Sequence, residues 1–167
     1  MDQRRPVPSI FVMPTTLARN DDAGVGHGSD TPSHPGANSI TPSARRVLVV
    51  DDDAYIHVGV RAALKGLRCE IRSASTGCDA LEVASTWRPE IAILDVGLPD
   101  TDGYQLAYDL RADPALATMR IIFLTGHLPD QLAVEVIGGN LFLGKPYRIQ
   151  VLATAVRGQL ASLASSA

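Results

Sequence analysis

The segment that most constrains the fold of this chain is residues 91–103, which read IAILDVGLPDTDG. Its first four residues are apolar without a polar break, and the run stops at a single carboxylate, Asp95. A short run of this kind is typical of a strand buried on both faces, as in a parallel sheet covered by helices. Two turn signals follow the aspartate. Taken alone, Asp95 would be read as a turn former, so its meaning depends on the rest of the chain.

Composition limits the classes of protein to which the chain can belong. Its 167 residues hold one ordinary domain with a tail, and a formal net charge of -3 gives no basic field for nucleic acid or an anionic membrane. No apolar run approaches the roughly 20 residues of a membrane span. Cys69 and Cys78 lack paired metal spacing and are predicted to be reduced thiols. We therefore expect a cytoplasmic protein without a membrane segment.

Residues 1–44 differ in character from the remainder of the chain. They contain many of the eleven prolines and the glycine-rich run AGVGHGSDTPSHPGANS. Neither a strand period nor a helix period persists through so many breakers, so this segment is predicted to be a disordered N-terminal tail.

From Arg45 onward, strand and helix patterns alternate five times. Apolar runs predict strands at 47–50, 91–94, 121–124 and 141–143, and residues 68–73 suggest a short further strand. Each strand is followed by apolar residues at helical spacing. Such alternation predicts one α/β domain, a doubly wound five-stranded parallel sheet of the (βα)5 type with helices on both faces. The domain is expected to span 45–163, and 164–167 only end the chain.

Polar residues follow four of the five predicted strands. Because parallel strands end at the same edge of a sheet, these residues are expected to meet there: Asp51, Asp52, Asp95, Thr125 and Lys145. Each has a common structural explanation when taken alone, such as a helix N-cap, a turn or a surface lysine. Their joint occurrence at successive strand ends is much more specific.

The residues expected at this sheet edge are suited to binding a metal ion and a phosphoryl group. Three neighbouring carboxylates raise one another's pKa unless a cation lies between them, and Mg²⁺ commonly binds one or two carboxylates together with phosphate. With Mg²⁺ present, Asp95 can attack phosphorus and carry an acyl phosphate. Lys145 and Thr125 can supply positive charge and a hydrogen-bond donor to the phosphoryl oxygens.

Four segments resemble the receiver domain of bacterial two-component response regulators: VLVVDDD at 47–53, ILDVGLPDTDGY at 93–104, IIFLTGH at 121–127 and FLGKPY at 142–147. The resemblance covers about 45–163, and we expect the flavodoxin-like strand order 2-1-3-4-5. It implies that Asp95 is the phosphoacceptor and that Asp51 and Asp52 are the acidic Mg²⁺ pair. It also implies that the backbone carbonyl of Gly97 completes the protein's share of the metal site.

The resemblance further implies a switch and a cis peptide bond. Thr125 and the aromatic Phe142 are expected to move together on phosphorylation, with Phe142 rotating inward. Gly97 and His127 match positions that tune the lifetime of the acyl phosphate, and the Lys145–Pro146 bond is expected to be cis. Asp53 is interpreted as a helix N-cap.

One departure from the family concerns the helix predicted to begin at Pro129. The 20 positions from Thr125 to Lys145 are fewer than expected for a typical receiver, so this helix or its loops are predicted to be shortened. Since that helix normally belongs to the output face, the surface for partners is expected to differ.

The favoured function is a stand-alone receiver that acts by protein contact, either as a phosphorelay shuttle or as a chemotaxis-like messenger. It is expected to catalyse only its own phosphorylation and dephosphorylation. Its expected partners are a sensor histidine kinase or His phosphotransfer protein and an unknown downstream protein, without direct DNA binding or a membrane. The absence of an output module after residue 163 and the Met1 start favour a complete product.

Two alternatives remain. The first is a receiver-fold binding module that acts without phosphorylation. The second is a metal-dependent phosphohydrolase of the haloacid-dehalogenase type, whose Asp-x-Asp signature Asp51 and Asp53 satisfy. Tyr55 and the lack of an acidic pair after Lys145 count against the second.

Overall fold

The computed structural model describes residues 10–12, 44–126 and 141–165. Six strands are present in these ranges: β1 (Ile10–Val12), β2 (Arg45–Val50), β3 (Cys69–Ala74), β4 (Ile91–Asp95), β5 (Arg120–Thr125) and β6 (Leu141–Gly144). The helices are α1 (Ala54–Ala63), α2 (Gly77–Trp87), α3 (Gly103–Ala112) and α4 (Ile149–Ser165), with a 3₁₀ turn at Pro114–Leu116. None of the helices in the described ranges is long and apolar enough to cross a membrane.

The strands form one sheet in the order β1-β6-β5-β4-β2-β3, in which β2 to β6 are all parallel. Numbered from β2, the five parallel strands follow the order 2-1-3-4-5, which confirms the predicted doubly wound (βα)5 architecture. The central strand β4 is buried along its whole length. Its apolar run is therefore explained by helices that cover both faces of the sheet.

Alternate residues of each strand divide the core between the two faces of the sheet. Leu48 and Val50 pack in the cluster that α2 and α3 cover, whereas Val47 and Val49 pack in the cluster that α1 and α4 cover. The period of two along β2 thus supplies apolar side chains to both layers. The sheet therefore lies between two pairs of described helices. The buried polar side chains of the described residues, Asp51, Asp95 and Thr125, occur at the ends of strands.

Side-chain caps begin three helices soon after a strand ends. Asp53 caps α1, Thr76 caps α2 and Asp102 caps α3, each accepting a hydrogen bond from a backbone N–H of the first turn. The interpretation of Asp53 as an N-cap is confirmed. Because these helices follow parallel strands, their N-termini lie at the edge of the sheet where the predicted site residues occur.

Strand β1 is a difference from the sequence analysis. Ile10–Val12 pairs antiparallel with β6, with Ile10 opposite Leu143 and Val12 opposite Leu141. These residues lie inside the segment predicted to be disordered, so that prediction is wrong for Ile10–Val12. The rest of 1–43 and the helix expected from Pro129 lie outside the described residues.

Candidate functional site

The strand register brings three of the predicted acids together. Val50 of β2 is the partner of Leu94 in β4, so the next residue of each strand, Asp51 and Asp95, lies at the same edge. One carboxylate oxygen from each of Asp51, Asp52 and Asp95 lies within 4.8 Å of the others. Asp51 and Asp95 are buried, whereas Asp52 is exposed. The cluster therefore has a buried floor and an open side.

Lys145 lies over this acidic cluster from the end of β6. Its Nζ atom is 3.0 Å from Oδ1 of Asp95 and 3.3 Å from Oδ2 of Asp51. Its backbone N–H donates to the carbonyl oxygen of Thr125 over 2.6 Å, which ties the end of β6 to the end of β5. The predicted cis bond between Lys145 and Pro146 is confirmed.

The buried acid and the lysine perturb each other's ionisation. Burial raises the pKa of Asp51 above its ordinary value, and the charge of Asp95 adds to this rise. The backbone N–H of Asp53 and the ammonium of Lys145 oppose it without cancelling it. Burial alone would lower the pKa of Lys145, but the hydrogen bond to Asp95 and the charges of Asp51 and Asp95 outweigh burial and raise it. The one positive charge of Lys145 therefore faces the carboxylates of both Asp51 and Asp95.

This donor set fits a small divalent cation. Mg²⁺ prefers oxygen ligands at about 2.0–2.1 Å, so oxygens on opposite sides of the ion lie roughly 4 Å apart. The spread of 4.8 Å among the three carboxylates is close to that span. Asp51, Asp52 and Asp95 are the side chains that would hold Mg²⁺.

The loop after Asp95 is held close to that residue by Gly103. The N–H of Gly103 donates to the carbonyl oxygen of Val96 over 2.9 Å, and Gly97 pairs with Asp102 across the same loop. A Cβ atom at residue 103 would overlap the carbonyl oxygen of Asp95 and lie 2.8 Å from Cα of Val96. Only glycine fits this approach of α3 to the end of β4.

Gly97 lies at the open side of the cluster, since a Cβ atom there would be 3.9 Å from Oδ2 of Asp95. This placement is compatible with both roles expected of Gly97, next to the metal and next to the acyl phosphate. Its carbonyl as a metal ligand stays a prediction. His127, the other position expected to tune lifetime, lies outside the described residues.

Thr125 and Phe142 lie on neighbouring strands beside the cluster. Thr125 ends β5 and is buried. The ring of Phe142 is 1% exposed and stacks on Phe123, with ring centroids 5.1 Å apart. The ring thus lies in the core in this structure, and its expected movement on phosphorylation stays a prediction.

Tyr104 is a residue of this site that the sequence analysis did not single out. It lies near the start of α3, where its ring packs against the buried cluster that α2 and α3 cover. Its ring centroid is 5.0 Å from that of Phe123 and 6.3 Å from that of Phe142. Burial raises the pKa of the Tyr104 phenol, and the charge of Asp102 adds to the rise, whereas the hydrogen bond with Thr125 opposes it. The one available signal was its place in the ILDVGLPDTDGY segment.

Asp100 is a second such residue. Its carboxylate accepts the backbone N–H groups of Gly77 and Cys78 at 2.9 and 3.0 Å, so it joins the loop after Asp95 to the first turn of α2. These two hydrogen bonds lower the pKa of Asp100 below its ordinary value. No local sequence pattern indicates this contact, because its partners lie more than twenty residues away.

Comparison with known proteins agrees with this geometry. The sequence profile of the family described as the response regulator receiver domain matches residues 47–157. The chain belongs to the response regulator receiver domain family. The matched range of this receiver contains the acidic cluster, Thr125 and Lys145.

Individual relatives give the extent of the similarity. The transcriptional regulatory protein GltR of Pseudomonas aeruginosa is 32% identical over 123 residues, which is 72% of this chain and 51% of GltR. Protein PilG of the same organism is 28% identical over 119 residues, which is 70% of this chain and 88% of PilG. The chain thus spans about half the length of GltR.

The fold is also similar to that of the chemotaxis response regulator CheY4 of Vibrio cholerae. That structure has a TM-score of 0.63 and 24% identity, and the similarity covers 69% of this chain and 98% of CheY4. At this level of identity the likeness shows the fold alone.

The geometry does not favour the phosphohydrolase alternative. The Asp-x-Asp signature of that alternative uses Asp51 and Asp53. In the receiver described here, the Asp53 carboxylate instead accepts the backbone N–H of Tyr55 at the start of α1. The side chains grouped for a metal are Asp51, Asp52 and Asp95.

Proposed function

We propose that this receiver is the phosphoacceptor of a two-component phosphorelay and that Asp95 accepts the phosphoryl group. The observation that carries the proposal is the 3.0 Å separation between Oδ1 of Asp95 and Nζ of Lys145, at the rim of a cluster of three acids. A nucleophilic carboxylate and a cation that can bind phosphoryl oxygens are thus adjacent at one sheet edge. The proposed donor is a sensor histidine kinase or a His phosphotransfer protein.

The proposed step is a direct displacement at phosphorus. A carboxylate oxygen of Asp95 attacks the phosphorus atom, and the bond between phosphorus and the donor's imidazole nitrogen breaks. The bonding electrons leave with the imidazole, and Asp95 is left as an acyl phosphate. Dephosphorylation is the attack of water on the same phosphorus, which returns inorganic phosphate and the free carboxylate.

The residues around Asp95 have separate roles in this proposal. Lys145 exchanges its contact with the Asp95 carboxylate for one with a phosphoryl oxygen, and Thr125 donates a hydrogen bond to another. Asp51 and Asp52 hold Mg²⁺ together with Asp95 and the carbonyl of Gly97. When bound, Mg²⁺ supplies positive charge to the phosphoryl oxygens.

The output of the receiver is proposed to be contact with another protein. We propose a cytoplasmic signalling switch that acts on no substrate other than its own phosphoryl group. The stand-alone form and the lack of direct DNA binding are part of the proposal. GltR is named as a transcriptional regulatory protein, but the similarity to this chain covers only 51% of GltR.

The test is the intact mass of the purified protein after incubation with acetyl phosphate and Mg²⁺. We expect one phosphoryl adduct on the wild type, none on Asp95→Asn, and none when EDTA removes Mg²⁺. Asp109→Asn is the matched control, because Asp109 is an exposed acid on α3. It should form the adduct like the wild type.

The contrary results are equally clear. An adduct that persists in Asp95→Asn would place the acceptor elsewhere. The lack of any adduct on the wild type would overturn the proposal and favour a receiver-fold module that binds partners without phosphate.

A further inference from the structure

The loop between β4 and α3 contains Gly97 and is closed on itself. Gly97 pairs with Asp102 across the loop, and the N–H of Gly103 donates to the carbonyl oxygen of Val96 over 2.9 Å. The loop is therefore a short hairpin whose turn is formed by residues 98–101. Because the hairpin moves as one unit, the position of Gly97 depends on what holds this turn.

Asp100 ties the turn to α2. Its Oδ1 atom accepts the N–H of Gly77 over 2.9 Å, and its Oδ2 atom accepts the N–H of Cys78 over 3.0 Å. The N–H groups of a first helical turn have no partner inside the helix, and the helix dipole favours a carboxylate beside them. The first turn of α2 also packs closely on the loop, since a Cβ atom at residue 77 would overlap Cγ2 of Thr101. We call these two hydrogen bonds the Asp100 clamp.

Leu98 provides a second attachment of the same turn. Its side chain is buried in the cluster that α2 and α3 cover. Burial of an apolar side chain fixes the turn against the core without a preferred direction, whereas hydrogen bonds depend on direction. Loss of the Asp100 clamp should therefore displace the loop without detaching it from the core. Gly97 would move with the loop, and a Cβ atom at residue 97 would be only 3.9 Å from Oδ2 of Asp95.

We propose that Asp100 is a positioning residue for the cation, because its clamp holds Gly97 at the acidic cluster, where the Gly97 carbonyl can complete the oxygen ligands of Mg²⁺. The inference rests on the proposed function, which assigns Mg²⁺ and the Gly97 carbonyl to this site. Asp100 acts through the backbone of the loop and does not bind the ion itself. Groups that orient metal ligands typically contribute 10- to 100-fold to metal affinity. We expect an effect at the lower end of this range, because the three acids of the cluster stay in place.

The experiment measures Mn²⁺ binding to the full-length protein from the EPR signal of free Mn²⁺, with Mg²⁺ as the competitor. Mn²⁺ is the probe because, like Mg²⁺, it suits carboxylate, carbonyl and water ligands. Binding at the acidic cluster is identified by its loss in Asp51→Asn. Asp100→Ala should raise the dissociation constant roughly tenfold.

Asp79→Ala is the matched control for Asp100→Ala. Asp79 is an exposed acid in the same first turn of α2. Its replacement removes one negative charge from this turn and leaves the Asp100 clamp intact. Asp79→Ala should therefore bind Mn²⁺ as the wild type does.

A second pair of variants breaks the clamp from the other side and keeps the charge of Asp100. Cys78→Pro removes one of the two donors at a position in the first helical turn, where proline is tolerated, whereas Cys78→Ala keeps this donor. Cys78→Pro should weaken Mn²⁺ binding, and Cys78→Ala should not. In the Asp100→Ala background, Cys78→Pro should have no further effect on the dissociation constant, because both changes break the same contact.

Two further measurements separate positioning from a role in stability alone. Urea unfolding gives the range in which each variant is folded, and a loss of stability alone leaves the dissociation constant of the folded protein unchanged. The rate of adduct formation from acetyl phosphate should be lower in Asp100→Ala at limiting Mg²⁺ and should approach the wild-type rate at saturating Mg²⁺.

A dissociation constant of Asp100→Ala equal to that of the wild type would overturn this inference and leave the proposed function intact. An equal loss of affinity in Asp79→Ala would also overturn it, because the effect would then come from charge and not from the clamp. So would an additive effect of Cys78→Pro in the Asp100→Ala background. If the wild type binds neither Mn²⁺ nor Mg²⁺ at the acidic cluster, the metal site of the proposed function fails and this inference fails with it.

Discussion

The Nζ atom of Lys145 lies 3.0 Å from Oδ1 of Asp95, although β6 and β4 are separated in the sheet by β5. The long lysine side chain crosses the end of β5 and also comes within 3.3 Å of Oδ2 of Asp51. One ammonium is therefore the principal counter-charge to two buried carboxylates in the described part of the chain. This relationship ties the stability of the acidic cluster to its binding of cations.

Lys145→Met should lower the free energy of unfolding of the metal-free protein by about 1–3 kcal/mol, because buried Asp51 loses its cation. This range lies below the cost of breaking a fully buried ion pair, since the lysine side chain is 33% exposed. Mg²⁺ should stabilise the variant more than it stabilises the wild type. Urea unfolding with EDTA or with Mg²⁺ measures both effects.

Lys65→Met is the control for this variant, because Lys65 is exposed after α1. It should respond to Mg²⁺ as the wild type does. An equal stabilisation of Lys145→Met and wild type by Mg²⁺ would show that the lysine and the ion do not serve the same carboxylates.

Gly103→Ala should lower the free energy of unfolding and slow phosphorylation of Asp95. The new methyl group would overlap the carbonyl of Asp95, so the start of α3 must move away from β4. Overpacking of this kind costs about 1–3 kcal/mol. Urea unfolding measures the stability, and the rate of adduct formation from acetyl phosphate measures the effect on the site.

Gly158→Ala is the matched control for Gly103→Ala. Residue 158 lies on α4, where an added Cβ would meet no atom within 4 Å, so alanine should stabilise by about 0.5–1 kcal/mol. A Gly103→Ala protein as stable as the wild type would refute the close approach of α3 to Asp95.

Asp100→Asn should destabilise the protein in a pH-dependent way. Two backbone N–H groups hold the pKa of Asp100 below its ordinary value near 3.9, so the folded state favours the ionised carboxylate. The stabilisation is therefore present above the ordinary pKa and is lost as the pH falls through the lowered one. The difference in unfolding midpoint between wild type and Asp100→Asn should be largest near neutral pH and should shrink below about pH 4.

Thermal unfolding from neutral to acidic pH measures this dependence. Glu82→Gln, an exposed acid on α2, is the control and should show a small, nearly constant difference from the wild type. A difference for Asp100→Asn that stays constant across the same range would mean that its charge does not hold the first turn of α2.

The strands and helices of the parallel sheet could be predicted from local patterns, whereas the strand order 2-1-3-4-5 came from the resemblance to receiver domains. Residues 91–94 form a wholly apolar run, and helices that cover such runs begin at capping residues such as Asp53. The grouping of the acids at one edge follows from the parallel arrangement itself. These features needed no knowledge of long-range contacts.

The contacts of Tyr104, Asp100 and Phe142 could not be predicted in the same way. The ring of Tyr104 packs near Phe123 and Phe142 on other elements. The carboxylate of Asp100 accepts backbone N–H groups of the first turn of α2. The buried position of Phe142 depends on its packing with Phe123 and Tyr104, which no spacing in the sequence reveals. Strand β1 escaped prediction because three residues between prolines have too short a pattern to read.

The edge of β6 should be protected by β1. Ile10–Val12 covers residues 141–143, which would otherwise form an open sheet edge directly before Lys145. Replacement of both Ile10 and Val12 by proline removes two N–H groups and is incompatible with continued pairing. Backbone amides of β6 that face β1 should then exchange with solvent at least roughly tenfold faster, whereas those bonded to β5 should not change.

Hydrogen–deuterium exchange followed by NMR on the full-length chain measures this effect, and the amides bonded to β5 are its internal reference. Leu17→Pro, which places a proline elsewhere in the N-terminal segment, should leave β6 unchanged. Because an uncovered edge can pair with another chain, the double variant should also self-associate more strongly as its concentration rises. Exchange rates equal to those of the wild type would show that the β1–β6 pairing does not protect this edge.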